Sequence, residues 1–304
     1  MDPLNKINVD TDSTIALIRK ALHMGIDVWV TTPNAVSFKE NRAEVNAQFV
    51  QNNDLKLNFY TKHNLDYFDY CFIRQDPPFD INYLTNLYLL EIHNQNYKKP
   101  FFVNNPSGIK NFTEKIFPFY FESLTPYSVI SCEEKIFSNM LDEFGAVVLK
   151  TLYNKGGKGI YKVTKFDKKG KKLFQDITNN FNSQIVIQEF IDDVIKGDKR
   201  ILLINGKAEG VVNRIPKPGQ FKANLHLGGR AEKTFLTKQE NQICKKLSSK
   251  LIKHKLFFVG IDVINEKLTE VNVTSPTGIV QIENLYGIDF CEIFWKKLLE
   301  IRRF

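Results

Sequence analysis

Apolar and polar positions alternate most regularly over residues 258–277, FVGIDVINEKLTEVNVTSPT. Val259, Ile261 and Val263 alternate with Gly260, Asp262 and Ile264; Thr269, Val271 and Val273 alternate with Glu270, Asn272 and Thr274. This period of two predicts two strands joined by a turn, with one clean apolar face. Glu270 and Asn272 then share the polar face, roughly 7 Å apart. A three-residue loop, Asn265-Glu266-Lys267, sets Asp262 opposite Glu270 and Ile261 opposite Val271. A two-residue loop would set Ile261 against Glu270 and bury a carboxylate, so the apolar pattern selects the odd loop. The result is an oxygen cluster of Asp262, Glu270 and Asn272.

Elsewhere the pattern predicts two regions. Residues 1–105 alternate helix and strand: a helix capped by Ser13 or Thr14 and ended by Gly25, a strand over 26–30, strands over 45–50 and 55–60 that read as an antiparallel pair, and a buried strand over 69–74. The loop QDPPFD, a helix over 81–93 and a short strand over 100–103 follow, which argues for a small parallel, doubly wound sheet. Such a sheet begins with a strand, whereas this chain opens in the first loop, so the first strand is missing and the start is expected to be truncated. Residues 106–304 form a second region: a helix over 111–120, strands over 147–150, 160–163 and 185–190, and a hairpin around Asn205-Gly206. An aperiodic Gly/Pro-rich loop over 215–230 and an amphipathic helix over 239–255 lead into the hairpin described above.

Composition changes this picture little. The 304 residues suffice for a large core, and 43% hydrophobic with 25% charged residues is ordinary for a globular protein. No stretch reads as a signal peptide or membrane span. Cys71, Cys132, Cys244 and Cys291 are far apart, which reads as reduced thiols in the cytoplasm. The net charge is +8, but the lysines are scattered; KKGKK at 168–172 reads as the top of a solvated hairpin or loop. A basic surface of this kind suits anionic small molecules better than nucleic acid.

Two carboxylates and an amide with no thiolate or imidazole nearby suit a hard cation such as Mg²⁺, although the solvent side of an amphipathic hairpin carries similar residues. Gly156-Gly157-Lys158-Gly159 between two strands can bring backbone N–H groups to phosphate, or can be a plain turn. Lys150 and Lys115 are candidate phosphate partners, and Arg200 and Arg214, on two strands of one hairpin, suit carboxylate or phosphate. His23, His63, His93, His226 and His254 form no metal set, and only His226 falls on the candidate lid. No nucleophile–base pair is evident, which leaves phosphate and metal chemistry.

Taken in order, these pieces resemble the ATP-grasp superfamily and, within it, the bacterial glutathione synthetases. The resemblance is carried by MDP at 1–3, RQDPPFD at 74–80, TEKIF at 113–117, LK…GGKGI at 149–160, GDKRIL at 197–202 and RIP at 214–216. It continues in NLHLGGR at 224–230 and FVGIDVI…LTEVNVTSPTG at 258–278. It implies an α/β chain with a pre-ATP-grasp substrate domain over 1–105 and an ATP-grasp catalytic domain over 106–304, with a subdomain at about 115–190 and a lid over 215–230. The implied reaction joins glycine to γ-glutamylcysteine through an acyl phosphate, consuming ATP.

By the same resemblance Lys115, Lys150, Gly156, Gly157, Gly159, Gln188, Glu189, Phe190, Ile191, Asp198 and Lys199 bind ATP, and Arg200 and Arg214 face the reacting groups. Arg74, Asp76, Gly229, Arg230, Ser275 and Thr277 frame the peptide, while Asp262, Glu270 and Asn272 hold two Mg²⁺ or Mn²⁺ ions. A cytoplasmic homo-oligomer, dimer or tetramer, with small-molecule substrates and no nucleic-acid or membrane partner is implied. The phosphate loop departs from the family: Tyr153-Asn154 stands where relatives more often carry the D-G of D-G-x-G-G, Gln75 replaces a frequent basic residue, and Val280-Gln281 stands in for an arginine–glutamate pair. The alternatives are another ATP-grasp carboxylate–amine ligase and a non-catalytic nucleotide-binding module.

Overall fold

Alternating side chains give the central sheet two apolar faces. The computed structural model describes residues 1–154 and 156–301. Five antiparallel strands run in the order Arg230–Glu232, Lys207–Ile215, Asp198–Ile204, Phe258–Ile264, Lys267–Asn272. Ile201, Leu203, Val259, Ile261, Val263 and Val271 enter one core with helix Lys238–Lys253 and with residues of the N-terminal region. Leu202, Ile204, Val212 and Phe258 enter another, beneath the C-terminal helices Ile279–Tyr286 and Phe290–Ile301. Asp198, Arg200 and Asp262 share the parity of this second face, where the apolar rows give way to charge.

The hairpin register is the expected one: Asp262 lies opposite Glu270 and Ile261 opposite Val271. The device that sets it differs. Ile264 pairs with Lys267 across a two-residue turn, Asn265-Glu266, whose φ angles of 47° and 60° are those of a type I′ turn. A β-bulge between Asp262 and Val263 on the pairing ladder then leaves Thr269 as the extra residue, and its Oγ1 donates to the Asp262 carbonyl at 3.1 Å. A tight turn plus a bulge has the same parity as a three-residue loop, which is why alternation alone does not separate them.

A second antiparallel sheet orders Ser128–Ser131, Ile185–Glu189, Val147–Thr151 and Ile160–Val163. Helices Glu134–Phe144 and Lys168–Ile177 close its own core, in which Phe137 and Phe174 stack at 4.6 Å. The KKGKK segment belongs to the second of these helices rather than to a hairpin top or loop: Asp167 caps it, accepting from Gly170 N at 2.8 Å. The helix expected over 111–120 is also corrected. A helix over Pro106–Asn111 ends there, and a 3-10 segment over Phe117–Leu124 follows, so Lys115 sits in the turn between them.

In the N-terminal region the expected parallel sheet shrinks to one pair, Tyr70–Phe72 beside Phe101–Val103. The larger sheet is antiparallel: Arg42–Val50 pairs with Trp29–Val30 and Val36–Lys39 along one side and with Leu57–Asn64 along the other. Helix Ser13–His23 is capped by Asp12, not by Ser13 or Thr14; Asp12 Oδ1 accepts from Thr14 N and Ile15 N at 2.7 and 3.0 Å. Asn104 ties this region to the central sheet. Its Nδ2 donates to the Phe258 and Val273 carbonyls and its Oδ1 accepts from Phe258 N, all at 2.7 Å.

Candidate active site

A cleft of about 1030 Å³ lies between the two sheets and reaches the N-terminal region. Its floor is built by register. Arg200, Asp262 and Glu270 occupy neighbouring strands on one rung, and Asp198 pairs across with Arg214. Arg200 grips Asp262 with both ends of its fork, Nε to Oδ1 at 2.5 Å and Nη2 to Oδ2 at 3.0 Å. Arg214 bridges Asp198 at 2.6 Å and Asp262 at 3.0 Å. Burial alone would raise the Asp262 carboxyl; the two guanidinium groups reverse this and hold it well below the usual carboxylate range. Burial pushes Asp198 up to about 6, against the pull of Arg214, and its Oδ1 is buried without a hydrogen-bond partner among the described residues.

Among the described residues the Glu270 side chain makes no hydrogen bond or ion pair, unlike its neighbours. The Asn272 amide lies 3.5 Å from Asp262 through Nδ2, and the residue lines the cleft. The donor set offered to a cation is therefore all oxygen, which fits a hard divalent ion. It contains two carboxylates and an amide, and no cluster of three or more His, Cys, Asp or Glu ligands exists among the described residues.

The roof carries Lys150 and Gln188 from the second sheet, with Lys115 from the turn below it. All three are buried, and burial lowers the Lys150 ammonium. A cation desolvated in this way is well suited to meet an anion. Lys115 Nζ donates to the Asn154 carbonyl at 2.5 Å, holding the Gly-rich loop over the cleft. Gly156 and Gly157 adopt φ of 63° and 77°, backbone that favours glycine. A Cβ on Gly157 would meet Asn224 Oδ1 at 2.9 Å, so this loop and residues 215–230 close on each other, joined by Lys222 Nζ to Gly157 O at 2.8 Å.

At the N-terminal end, Arg74 donates from Nε to Thr14 Oγ1 and from Nη2 to the Pro276 carbonyl, both at 3.0 Å. Its Nη1 is buried with no partner among the described residues, a donor that calls for an anion. Asp76, Ser275 and Thr277 line the same end, and Glu189, Phe190 and Ile191 line the roof edge.

Four predicted site residues fall outside the cleft lining. Lys199 has the opposite parity from Asp198 and Arg200, and binds Glu240 and the Phe235 carbonyl on the far face. Gly159 is wedged on Thr151 at the root of its loop, and Gly229 on the Ala223 and Ile215 carbonyls. Arg230 is 74% exposed and paired with Glu232. The His226 side chain lies outside the described residues. Conversely, Glu114 and Lys222 line the cleft and were not singled out. Glu114 accepts from Thr274 Oγ1 at 2.6 Å, and burial pushes its carboxyl up to about 7. The TEKIF context that marked Lys115 marked Glu114 equally well.

Comparison with known proteins gives the family and the fold. The family model described as the ATP-grasp domain of prokaryotic glutathione synthetase matches residues 114–287, and that of the N-terminal domain of the same enzymes matches residues 1–110. The glutathione synthetase of Bradyrhizobium diazoefficiens is 38% identical over 308 residues, covering 99% of this chain and 97% of its own. That of Mesorhizobium japonicum is 35% identical over 301 residues, covering 97% and 95%. Among solved structures, a RimK domain ATP-grasp protein of Sphaerobacter thermophilus superposes with a TM-score of 0.61 at 12% identity, covering 98% of this chain and 97% of that one. D-alanyl-alanine synthetase A of Vibrio cholerae gives 0.55 at 14%, covering 95% of each chain. At these identities the two structures speak for the fold alone.

Proposed function

The chain belongs to the prokaryotic glutathione synthetase family and is an ATP-dependent ATP-grasp ligase of glutathione synthesis, and from that premise we propose which of its residues perform the reaction. The observation that carries the assignment is the charged rung Arg200–Asp262–Glu270 on the floor, directly below Lys150 and Lys115 in one cleft. Lys115, Lys150, Gln188 and the 189–191 edge bind ATP, with Gly156 and Gly157 over its phosphates. Glu270, Asn272 and Asp262 hold two divalent ions, Mg²⁺ or Mn²⁺. Bound there, the ions neutralise phosphate charge and orient the γ-phosphoryl group.

Arg74 offers its free Nη1 to a carboxylate of γ-glutamylcysteine, with Asp76, Ser275 and Thr277 beside it. Arg200 and Arg214 steady the charge that builds as the cysteinyl carboxylate attacks the γ-phosphorus in line, the bond to the bridging oxygen breaks and ADP leaves. The acyl phosphate so formed is attacked by the glycine amine, and phosphate leaves. Residues 215–230 exclude water meanwhile, because an acyl phosphate hydrolyses. Residues 1–105 supply Arg74 and Asp76 to the peptide end of the site, and residues 106–304 supply the nucleotide end together with Ser275 and Thr277. Four unpaired thiols support a cytoplasmic setting, and the family supports a homo-oligomer. Many of the lysines are held in ion pairs on separate faces, which supports small-molecule rather than nucleic-acid partners. No described helix is long and apolar enough to cross a membrane.

The test is Glu270→Ala. Glu270 holds no other side chain, so its loss should leave thermal unfolding within about 0.5 kcal/mol of the parent. ADP release with γ-glutamylcysteine and glycine supplied together should fall by at least about 10²-fold, as for loss of a group acting on transition-state charge. Activity near that of the parent would remove Glu270 from the metal set.

A further inference from the structure

The segment assigned to the phosphates is fastened to the segment assigned to the dipeptide. The Phe79 N–H donates to the Tyr153 carbonyl at 3.0 Å. The rings of the same two residues stack, their centroids 6.5 Å apart and their planes inclined by 24°. Phe79 is seated firmly: Tyr83 lies behind it at 4.8 Å, fully buried, with its hydroxyl on the Gln75 carbonyl. Tyr153 is different. It is 49% exposed and reaches the contact from the root of the Gly-rich loop.

Half-exposed, such a ring gains little from burial and loses freedom when it is ordered. Its contact also spans two functions. Phe79 belongs to the Arg74–Asp80 loop, whose Arg74 carries the unpartnered donor. Tyr153 leads straight into the residues over the phosphates, where Lys115 holds the next carbonyl. The stack forms only when both loops are in place. A ligand that orders one loop therefore lowers the ordering cost borne by a ligand of the other.

We propose that Tyr153 is a positioning residue whose contact with Phe79 couples the phosphate-covering loop to the dipeptide-binding loop, so that nucleotide and dipeptide each tighten the other's binding. The inference rests on the roles assigned to residues 74–80 and 156–157 above. It gives a purpose to the departure from the D-G-x-G-G pattern, since an acid at position 153 offers no ring to Phe79.

Calorimetry on the full chain with Mg²⁺ tests it. A non-hydrolysable ATP analogue is titrated with and without saturating γ-glutamylcysteine, into the parent, Tyr153→Phe and Tyr153→Ala. The dipeptide should tighten analogue binding roughly fivefold or more in the parent, the lower end of ordinary coupling between sites. Tyr153→Phe, which keeps the ring, should keep that ratio, and Tyr153→Ala, which keeps only the backbone hydrogen bond, should lower it by about half or more. A tyrosine that served only the fold would weaken both titrations in Tyr153→Ala and leave the ratio intact; that result overturns the proposal, as does a ratio near one in the parent. If the parent binds the analogue but no dipeptide, the substrate assignment falls and the coupling with it.

Discussion

Asp262 is the residue on which most of the site's charge converges, held by Arg200 through both oxygens and by Arg214 through one. All three side chains are buried. Removing one member of such a group strands the others in a medium that solvates them poorly. Asp262→Ala should therefore cost about 3–5 kcal/mol of stability, measured by urea unfolding, and more than Glu270→Ala at the neighbouring strand. Parity made much of this legible from sequence. The alternation that placed Asp262 and Glu270 together also separates Asp198 and Arg200 from Lys199, which the family pattern named and whose side chain lies on the other face. What no pattern announces is an ion pair: that Arg200 closes on Asp262 depends on the register between strands more than fifty residues apart in the chain.

At the scale of the element, the hairpin of residues 258–272 reaches its register through a type I′ turn and a bulge. The turn is not ideally filled. Glu266 sits at φ 60°, where a side chain is strained and glycine is not. Glu266→Gly restores the favoured Asn-Gly pair and should stabilise the protein by about 0.5–1 kcal/mol, read as a higher unfolding midpoint. The charged rung lies beyond the bulge, so ligase activity should be unchanged. Strand positions over 258–273 were readable because the acids and amides fall on one face and the aliphatic residues on the other, which leaves a period of two although both faces are buried. The short helix before Lys115 was not, since Phe112, Phe117, Phe119 and Tyr120 follow no single period and a 3-10 segment packs them as well as an α-helix would.

Across the whole molecule, the first helix and the last are clamped together. Lys20 reaches Asp289 and Glu292 at 2.6 and 2.9 Å, and Trp295 Nε1 donates to the Leu17 carbonyl at 3.0 Å. Hydrogen bonds from Lys296 and Lys20 hold the Glu292 carboxyl down at about 2. A depressed carboxyl contributes stability above its unfolded value, near 4.5, and loses it as pH falls toward its folded one. The unfolding temperature should thus drop between about pH 4.5 and 2, and Glu292→Gln should flatten that part of the profile. The effect should be modest, because these groups are partly exposed and salt screens them. The N-terminal sheet was the least legible part at this scale. Three of its four strands were marked in sequence and Val36–Lys39 was not; strand direction in turn depends on how connections cross, and a helix between two runs does not by itself make them parallel neighbours.

The Asn104 side chain bears on how the cleft can open. One amide caps the splayed end of the hairpin as a third strand's peptide would, bonding Phe258 twice and Val273 once. The N-terminal region also shares a single apolar core with the central sheet, whereas the sheet built from residues 128–189 has a core of its own. No hinge can lie at the Asn104 seam without breaking three buried hydrogen bonds at once. The floor and the peptide end are thus built as one packed unit, while the roof keeps an apolar core separate from theirs.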